Sequence, residues 1–123
     1  MLSETFLEVL RHEGVVAIAT QGTELHLVNT WNSYIQVADG NNLLIPAGGM
    51  RETEKNVSVN NKVLLTLGNR EVTGKQGRPG AGFLVTGRAE FLSGGQYFEM
   101  VKKPFPWARA VLKVTVERIT QTL

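Results

Sequence analysis

The chain has no cysteine. Disulfides, thiolate metal sites, iron–sulfur clusters and thiol nucleophiles are therefore excluded. Histidine is scarce, with two residues in all. His12-Glu13 begins like a zinc-protease helix, but Val16 stands where the second ligand would be. His26 reads as an ordinary surface or half-buried side chain. The longest unbroken apolar run is Val15 to Ala19, far short of the roughly 20 residues that span a bilayer. The N-terminus carries Glu4 and Glu8 and no signal-peptide pattern, so a cytoplasmic protein with no membrane partner is expected. Charge of one sign is also lacking. Thirteen Lys+Arg against eleven Asp+Glu leave a net +2, and the tightest cationic cluster is Lys102-Lys103. Nucleic-acid binders gather their cations into a stripe, so no nucleic-acid partner is expected. The Gly-rich stretch Gly74 to Gly82 is neither a dinucleotide fingerprint nor a P-loop, because Gln76 follows Gly74-Lys75.

The 123 residues are read as one domain, 1–123. Size scaling gives about 6,500 Å² of folded surface against about 19,600 Å² unfolded, enough burial for a core without staples. Thr5 with Glu8 fits a capping box, with Ser3 as the other candidate cap, and Phe6, Val9 and Leu10 form one helical stripe. Val15 to Thr20 reads as a strand buried on both faces. Glu24 to Val37 reads as one long extended segment, and Asp39-Gly40 as a hairpin turn in which both residues want positive φ. Leu43 to Ala47 returns as the partner strand, and Pro46 argues for an edge or a strand end. Arg51 to Val59 looks helical. Val63 to Leu67 and Phe83 to Leu92 read as strands about an exposed loop, Gly74 to Gly82. Ser93 is placed as the cap of a helix carrying Tyr97, Phe98 and Val101, which Pro104 and Pro106 end. Ala110 to Ile119 alternates cleanly. Six strands and three short helices, with no βαβ alternation, predict a mainly β fold: a closed antiparallel barrel with helical decorations.

Three segments stand out as places to hold a cofactor. Asn29-Thr30-Trp31-Asn32-Ser33-Tyr34 puts polar groups on both strand faces with two large aromatics between them. It reads either as an exposed barrel strand or as a ligand strand that walls a planar polar ring. In Gly48-Gly49-Met50-Arg51-Glu52-Thr53-Glu54-Lys55, two glycines permit close backbone approach and lead into a helix N-terminus, which attracts anions. Arg51 and Lys55 share a face, and Thr53 offers a hydroxyl, so phosphate is the natural guest; the alternative is a plain junction with a solvated charged face. Trp107, stiffened by Pro106, is either a core or interface residue or a third wall. Together the segments suggest a phosphorylated aromatic cofactor, since metal, thiol and charged-dyad chemistry lack support.

NTWNSY, PAGGM-x-x-TE-x-NV and FPWARA, the terminal Gln-Thr-Leu, and LEVLRHEGVVAIATQG near the start together resemble the small FMN-binding proteins of anaerobic bacteria. These belong to the split-barrel flavin-binding superfamily, which includes the pyridoxamine phosphate oxidases and flavin reductases. The resemblance covers nearly the whole chain. It implies a six-stranded antiparallel Greek-key split barrel, one non-covalent FMN per chain and a homodimer with the flavin near the subunit boundary. It further implies that Thr30, Arg51 and Thr53 lie in the phosphate region, and that Asn32, Ala47, Gly48 and Gly49 meet the flavin. Ser33 and Met50 fall within the same two segments. Trp31, Tyr34 and Trp107 match aromatics beside the ring, Glu13 matches an acidic neighbour, and Leu123 matches a terminal residue packing over the partner's FMN. One position departs from the family pattern: Glu52 stands where that pattern has Lys before the Thr. Either Glu52 turns outward while Arg51 or Lys55 supplies the charge, or affinity for the phosphate falls. The expected function is a small flavoprotein passing electrons to or from a redox protein partner. The alternative is a flavin-dependent oxidoreductase of the pyridoxamine phosphate oxidase or flavin reductase type. A nucleic-acid module on an OB-like barrel is a third class, disfavoured by the small net charge.

Overall fold

The structure is a computed structural model that describes residues 2–123. Its elements run α1 (Glu4–Leu10), β1 (Val15–Gln21), β2 (Leu25–Trp31), a 3₁₀ turn (Asn32–Tyr34), β3 (Gln36–Ala38), β4 (Asn42–Ala47), α2 (Arg51–Val59), β5 (Lys62–Thr73), β6 (Pro79–Leu92), α3 (Gln96–Lys102) and β7 (Ala110–Gln121). The Ser3 hydroxyl accepts from the Phe6 amide at 3.1 Å, so Ser3 caps α1 and the Thr5–Glu8 box is not used. Phe6, Val9 and Leu10 are buried, and the Phe6 ring meets Phe83 edge-on at 5.2 Å.

The strands form one seven-stranded antiparallel sheet in the order β2-β1-β5-β6-β7-β4-β3. This corrects the expectation of a six-stranded Greek-key split barrel. The mainly β class holds, but the sheet does not close: β2 and β3 are free ends that do not pair with each other. Closure demands that the end strands share a ladder. The seventh strand arises because the segment 24–37 is cut in two. The Asn32 amide donates to the Gly14 carbonyl at 2.9 Å, and the Ile35 amide donates to the Asn32 carbonyl at 3.2 Å. These bonds turn the chain out of the ladder after Trp31. The remainder of the segment forms β3, which is three residues long and pairs with β4 alone.

A second correction concerns β1, read as buried on both faces. Val16, Ile18 and Thr20 point inward, whereas Val15 is 49% exposed. Strand β5 behaves alike, with Val63, Leu65 and Leu67 inside and Leu64 outside. The strand buried on both faces is β4. Leu43 and Ile45 join the main core with Phe6, Leu65 and Leu112. Leu44 faces the other way, into a smaller cluster with Val101, Ala108 and Val111 under α3. Pro46 lies beyond the reach of β3, where β4 pairs only with β7, so its missing amide costs no ladder bond. The expected Gly74–Gly82 loop is shorter than read: Gly74 to Arg78 connect the strands, and Pro79 to Gly82 belong to β6. Ser93 caps nothing, and Gly95 precedes α3. The accessible surface, 6828 Å², is close to the scaling value for a chain of this size. Among the described residues no helix is long and apolar enough to cross a membrane, and no three metal-ligating side chains cluster.

The β3–β4 turn carries Asp39 at φ 53° and Gly40 at φ 83°, as its Asp-Gly pair predicts. It also anchors α3. The Tyr97 hydroxyl donates to the Asp39 carboxylate and accepts from Asn42 Nδ2 at 3.3 Å. Asn42 Oδ1 in turn accepts from Thr115. The Asp39 hydrogen bond, then burial, then the carboxylate's charge hold the Tyr97 proton above the ordinary value of 10.0, with Asn42 opposing. The folded chain binds that proton more tightly than the unfolded one. The contact therefore supports the fold below the ordinary value and is lost as pH rises through the raised one. Asp39→Asn is expected to move the Tyr97 titration back toward 10.0. Tyrosinate absorbance checks this, and an alkaline titration identical to that of the unmodified chain would contradict the contact.

Candidate functional site

A cleft of about 300 Å³ lies between the end of β2 and the loop leading from β4 into α2. Its lining includes Thr30, Trp31, Tyr34, Gly48, Gly49, Met50 and Trp107. Seven of the fourteen residues singled out in the sequence thus meet in one place. Val28, Asn29 and Pro46 complete the wall. Ligand pockets run from about 300 Å³ upward, mostly apolar with a few directed polar groups, and this cleft sits at the small end. A larger hollow of about 610 Å³ lies against α3, lined by Gln36, Gln96, Glu99, Met100, Lys102 and Lys103. It is open and offers no aromatic wall, so the smaller cleft is the candidate site.

The ladder between β4 and β7 assembles it. Ala47 pairs with Ala110, and the Arg109 amide donates to the Ala47 carbonyl at 2.9 Å. Residues 48–50, which leave β4, therefore lie beside residues 107–109, which enter β7. Tyr34, Phe105 and Trp107 form a cluster of tilted rings with centroids 5.0, 5.6 and 5.7 Å apart. Phe105 holds the cluster to the body of the protein by packing on the Leu44–Val101 core. Trp31 and Trp107 line the cleft while remaining 46% and 51% exposed.

Gly48 gives the Trp107 ring room. A Cβ there would sit 3.2–3.3 Å from the Trp107 ring. The positive φ falls instead on Met50, at 60°. A left-handed conformation costs a non-glycine residue roughly 1–2 kcal/mol, and Met50 adopts it immediately before α2. No side chain caps that helix, and its first internal bond is Glu54 N–H to Met50 C=O. The preceding amides have no partner within the helix and present a partial positive charge. The sequence reading missed Arg109. Its Nε and Nη2 donate to the Gly49 carbonyl at 3.1 and 2.6 Å, and Nη2 also meets Glu54 at 2.9 Å. It belongs to the FPWARA motif, but only its position across the ladder reveals the role.

The other residues singled out lie outside the cleft lining. Arg51 starts α2 with its side chain 75% exposed, 4.0 Å from Glu54. Glu52 and Lys55 are exposed, so Glu52 does turn outward. Ser33 is exposed in the 3₁₀ turn, and Ala47 is buried in the β4–β7 ladder. Asn32 is fully buried, its Nδ2 donating to the carbonyls of His12 and Gly68 at 3.0 and 3.4 Å. Glu13 is exposed in the α1–β1 loop, where its carbonyl accepts from Asn69. Leu123 lies over Gly82, 63% exposed. Two buried polar side-chain atoms among the described residues have no hydrogen-bond partner, Asn32 Oδ1 and Thr53 Oγ1. Leaving such an atom unpaired costs about 1–3 kcal/mol. Thr53 sits in the first turn of α2, where a bound anion would give its hydroxyl a partner. The half-exposed indoles, the uncapped helix start and this hydroxyl fit a flat aromatic group with an anionic tail.

Comparison with known proteins places the chain among relatives. A family model described as Pyridoxamine 5'-phosphate oxidase matches residues 2–123. The chain is 56% identical over 124 aligned positions, covering 100% of each chain, to a protein of Nitratidesulfovibrio vulgaris (strain DSM 19637 / Miyazaki F) named FMN-binding protein. Among solved structures it is similar to Group A Streptococcus HupZ, with a TM-score of 0.82 at 20% identity over 99% of this chain and 94% of that one. It is also similar to an FMN-binding protein from Syntrophomonas wolfei subsp. wolfei, with a TM-score of 0.69 at 14% identity over 94% of this chain and 82% of the other. The two structural likenesses speak to the fold alone.

Gly48→Ala tests the packing of the cleft. The added methyl forces Trp107 to give by a few tenths of an ångström. In a Trp31→Phe background, where Trp107 alone emits, a shifted indole emission is expected. The stability loss stays below about 1 kcal/mol, since the half-exposed ring can move. Unchanged emission would contradict the contact.

Proposed function

Because the chain belongs to the pyridoxamine 5'-phosphate oxidase family, we propose that it is an FMN-binding flavoprotein that passes electrons to and from a redox protein partner. The cofactor is FMN, the ligand named for the relative that is 56% identical over the full length. The observation that carries the reading is the cleft itself, where two half-exposed indoles and Tyr34 face the loop that opens α2. Trp31, Tyr34 and Trp107 would wall the isoalloxazine. Gly48, Gly49 and Met50 would approach it with backbone. Thr30, Arg51 and Thr53, with the first amides of α2, would hold the phosphate, while Asn32, Ser33 and Ala47 shape the segments on either side. Exposed Glu52 adds little repulsion there, and Arg109 neutralises Glu54. The flavin ring supplies the redox chemistry when bound, and the chain's own part is to bind, orient and shield it.

We further propose a homodimer. Leu25, Leu27, Val15, Leu64 and Trp31 form an exposed apolar band along β2, β1 and β5. Single exposed apolar residues are ordinary, but several on one face, joined through Ala17 and Ala19 and ending at a cleft, mark an interaction surface. Leu123, against Gly82, lies on this same outward face of the sheet. A second copy seated on the band would bring its Leu123 and Glu13 toward the first copy's flavin. The family description also favours a second reading, an oxidase that turns over a small substrate. Rapid bleaching of the flavin on mixing with pyridoxamine phosphate or NAD(P)H would select that reading; persistence of the colour selects the electron carrier.

The purified protein is expected to be yellow and to release FMN on denaturation. Trp107→Ala should weaken FMN binding about tenfold, the worth of one aromatic contact. Flavin-fluorescence titration checks this, and an unchanged affinity would remove Trp107 from the site. Deleting Leu123 is expected to weaken both self-association and FMN affinity. Unchanged sedimentation together with an unchanged titration would contradict the dimer.

A further inference from the structure

We infer that Arg109 is a positioning residue that locks the Gly48–Met50 loop and the first turn of α2 into the geometry that receives the phosphate, an inference that rests on the FMN reading above. Two N–H groups of one guanidinium, Nε and Nη2, converge on the Gly49 carbonyl at 3.1 and 2.6 Å. Nη2 also reaches the Glu54 carboxylate, one turn into α2, at 2.9 Å. The side chain is 22% exposed, the most sheltered partner in the charge pairs of that helix. Its backbone is fixed as well, because its amide extends the β4–β7 ladder through the Ala47 carbonyl at 2.9 Å. The guanidinium thus spans the strand end, the glycine loop and the helix start.

What it holds is a loop with reason to relax. Gly48 and Gly49 restrict the chain least of all residues, and Met50 sits in the left-handed region. Nothing caps α2 by side chain. With the Gly49 carbonyl pinned, the next peptide cannot rotate freely, and the amides from Met50 to Thr53 keep one direction. Arg109 is absent from the cleft lining, and these donors are already committed. Through Nε and Nη2, Arg109 therefore acts on the phosphate by holding the loop. A lysine cannot replace it, since a single ammonium lacks the planar fork that serves a carbonyl and a carboxylate together.

The test compares the full-length protein with Arg109→Ala and Arg109→Lys, each titrated with FMN and with riboflavin. Amide hydrogen exchange is also measured without flavin. In both variants the FMN dissociation constant is expected to rise about tenfold or more. The riboflavin constant should rise by a smaller factor, since Gly48 to Met50 also meet the ring while the α2 amides serve only the phosphate, and exchange at the first bonded amides of α2, Glu54 to Asn56, should quicken while the β5–β6 ladder stays protected. Glu54→Gln keeps the Gly49 bonds and should leave FMN affinity nearer the starting value than either Arg109 variant. Full rescue by lysine would assign Arg109 to charge alone and overturn the inference. Equal losses for FMN and riboflavin would overturn it by making the role general to the fold. Unchanged exchange at Glu54 to Asn56 would overturn the clamp itself. An unmodified protein that takes up neither flavin would instead overturn the FMN reading, and the exchange data would still decide the clamp.

Discussion

The pairing of β4 with β7 is the constraint on which the candidate site depends. From Asn42↔Thr115 to Ala47↔Ala110 it joins segments more than 60 residues apart in sequence. Each strand ends where the other begins its business with the cleft: Gly48 and Gly49 leave β4 as Trp107 and Arg109 enter β7. The pairing is well supported, because β4 is buried from end to end. Leu43 and Ile45 pack into one core and Leu44 into the other. Each fully buried leucine or isoleucine contributes roughly 1.5–3 kcal/mol relative to exposure, so the junction lies in the least yielding part of the molecule. A binding loop rich in glycine is thereby hung from a rigid frame, and α3, fastened by Tyr97 to the β3–β4 turn, packs over the same strand.

The opposite end of the sheet follows a different logic. Strand β2 is an edge, and its outward side chains are Leu25, Leu27, Asn29 and Trp31 rather than the charges that usually protect an edge. The inward side is partly buried, with Thr30 reaching the cleft. One strand thus serves two surfaces, and Trp31 at its end belongs to both. A partner copy on the apolar band would change the solvent exposure of the cleft without altering any residue within it.

Local signals in the sequence located most elements. Ser3, Asp39-Gly40 and the Leu112–Val114–Val116 alternation behave as their chemistry requires, and α2 occupies the expected Arg51–Val59. The failures were non-local. That Asn32 turns the chain aside depends on the Gly14 carbonyl, and nothing in the segment 24–37 announces it. An open and a closed sheet share the same alternating pattern, so strand count and closure could not be read from periodicity. At the site, the aromatic-polar run at Thr30–Tyr34 and the Gly-Gly step were legible because such residues are unusual in a strand or before a helix. Arg109 was not, because one arginine in a strand start looks like any other until β4 lies beside it. Glu13 and Leu123, which came from family resemblance alone, lie outside the cleft of a single chain.

The central claim is that a flavin ring lies between Trp31, Tyr34 and Trp107 with its phosphate at the start of α2. The most direct measurement is an amide and indole chemical-shift map of the nitrogen-labelled protein as FMN is added. The account predicts that the largest changes fall on Gly48, Gly49, Met50 and Thr53 and on both indole N–H signals. Changes centred instead on the hollow between Gln96 and Lys103, or none at any FMN concentration, would contradict it.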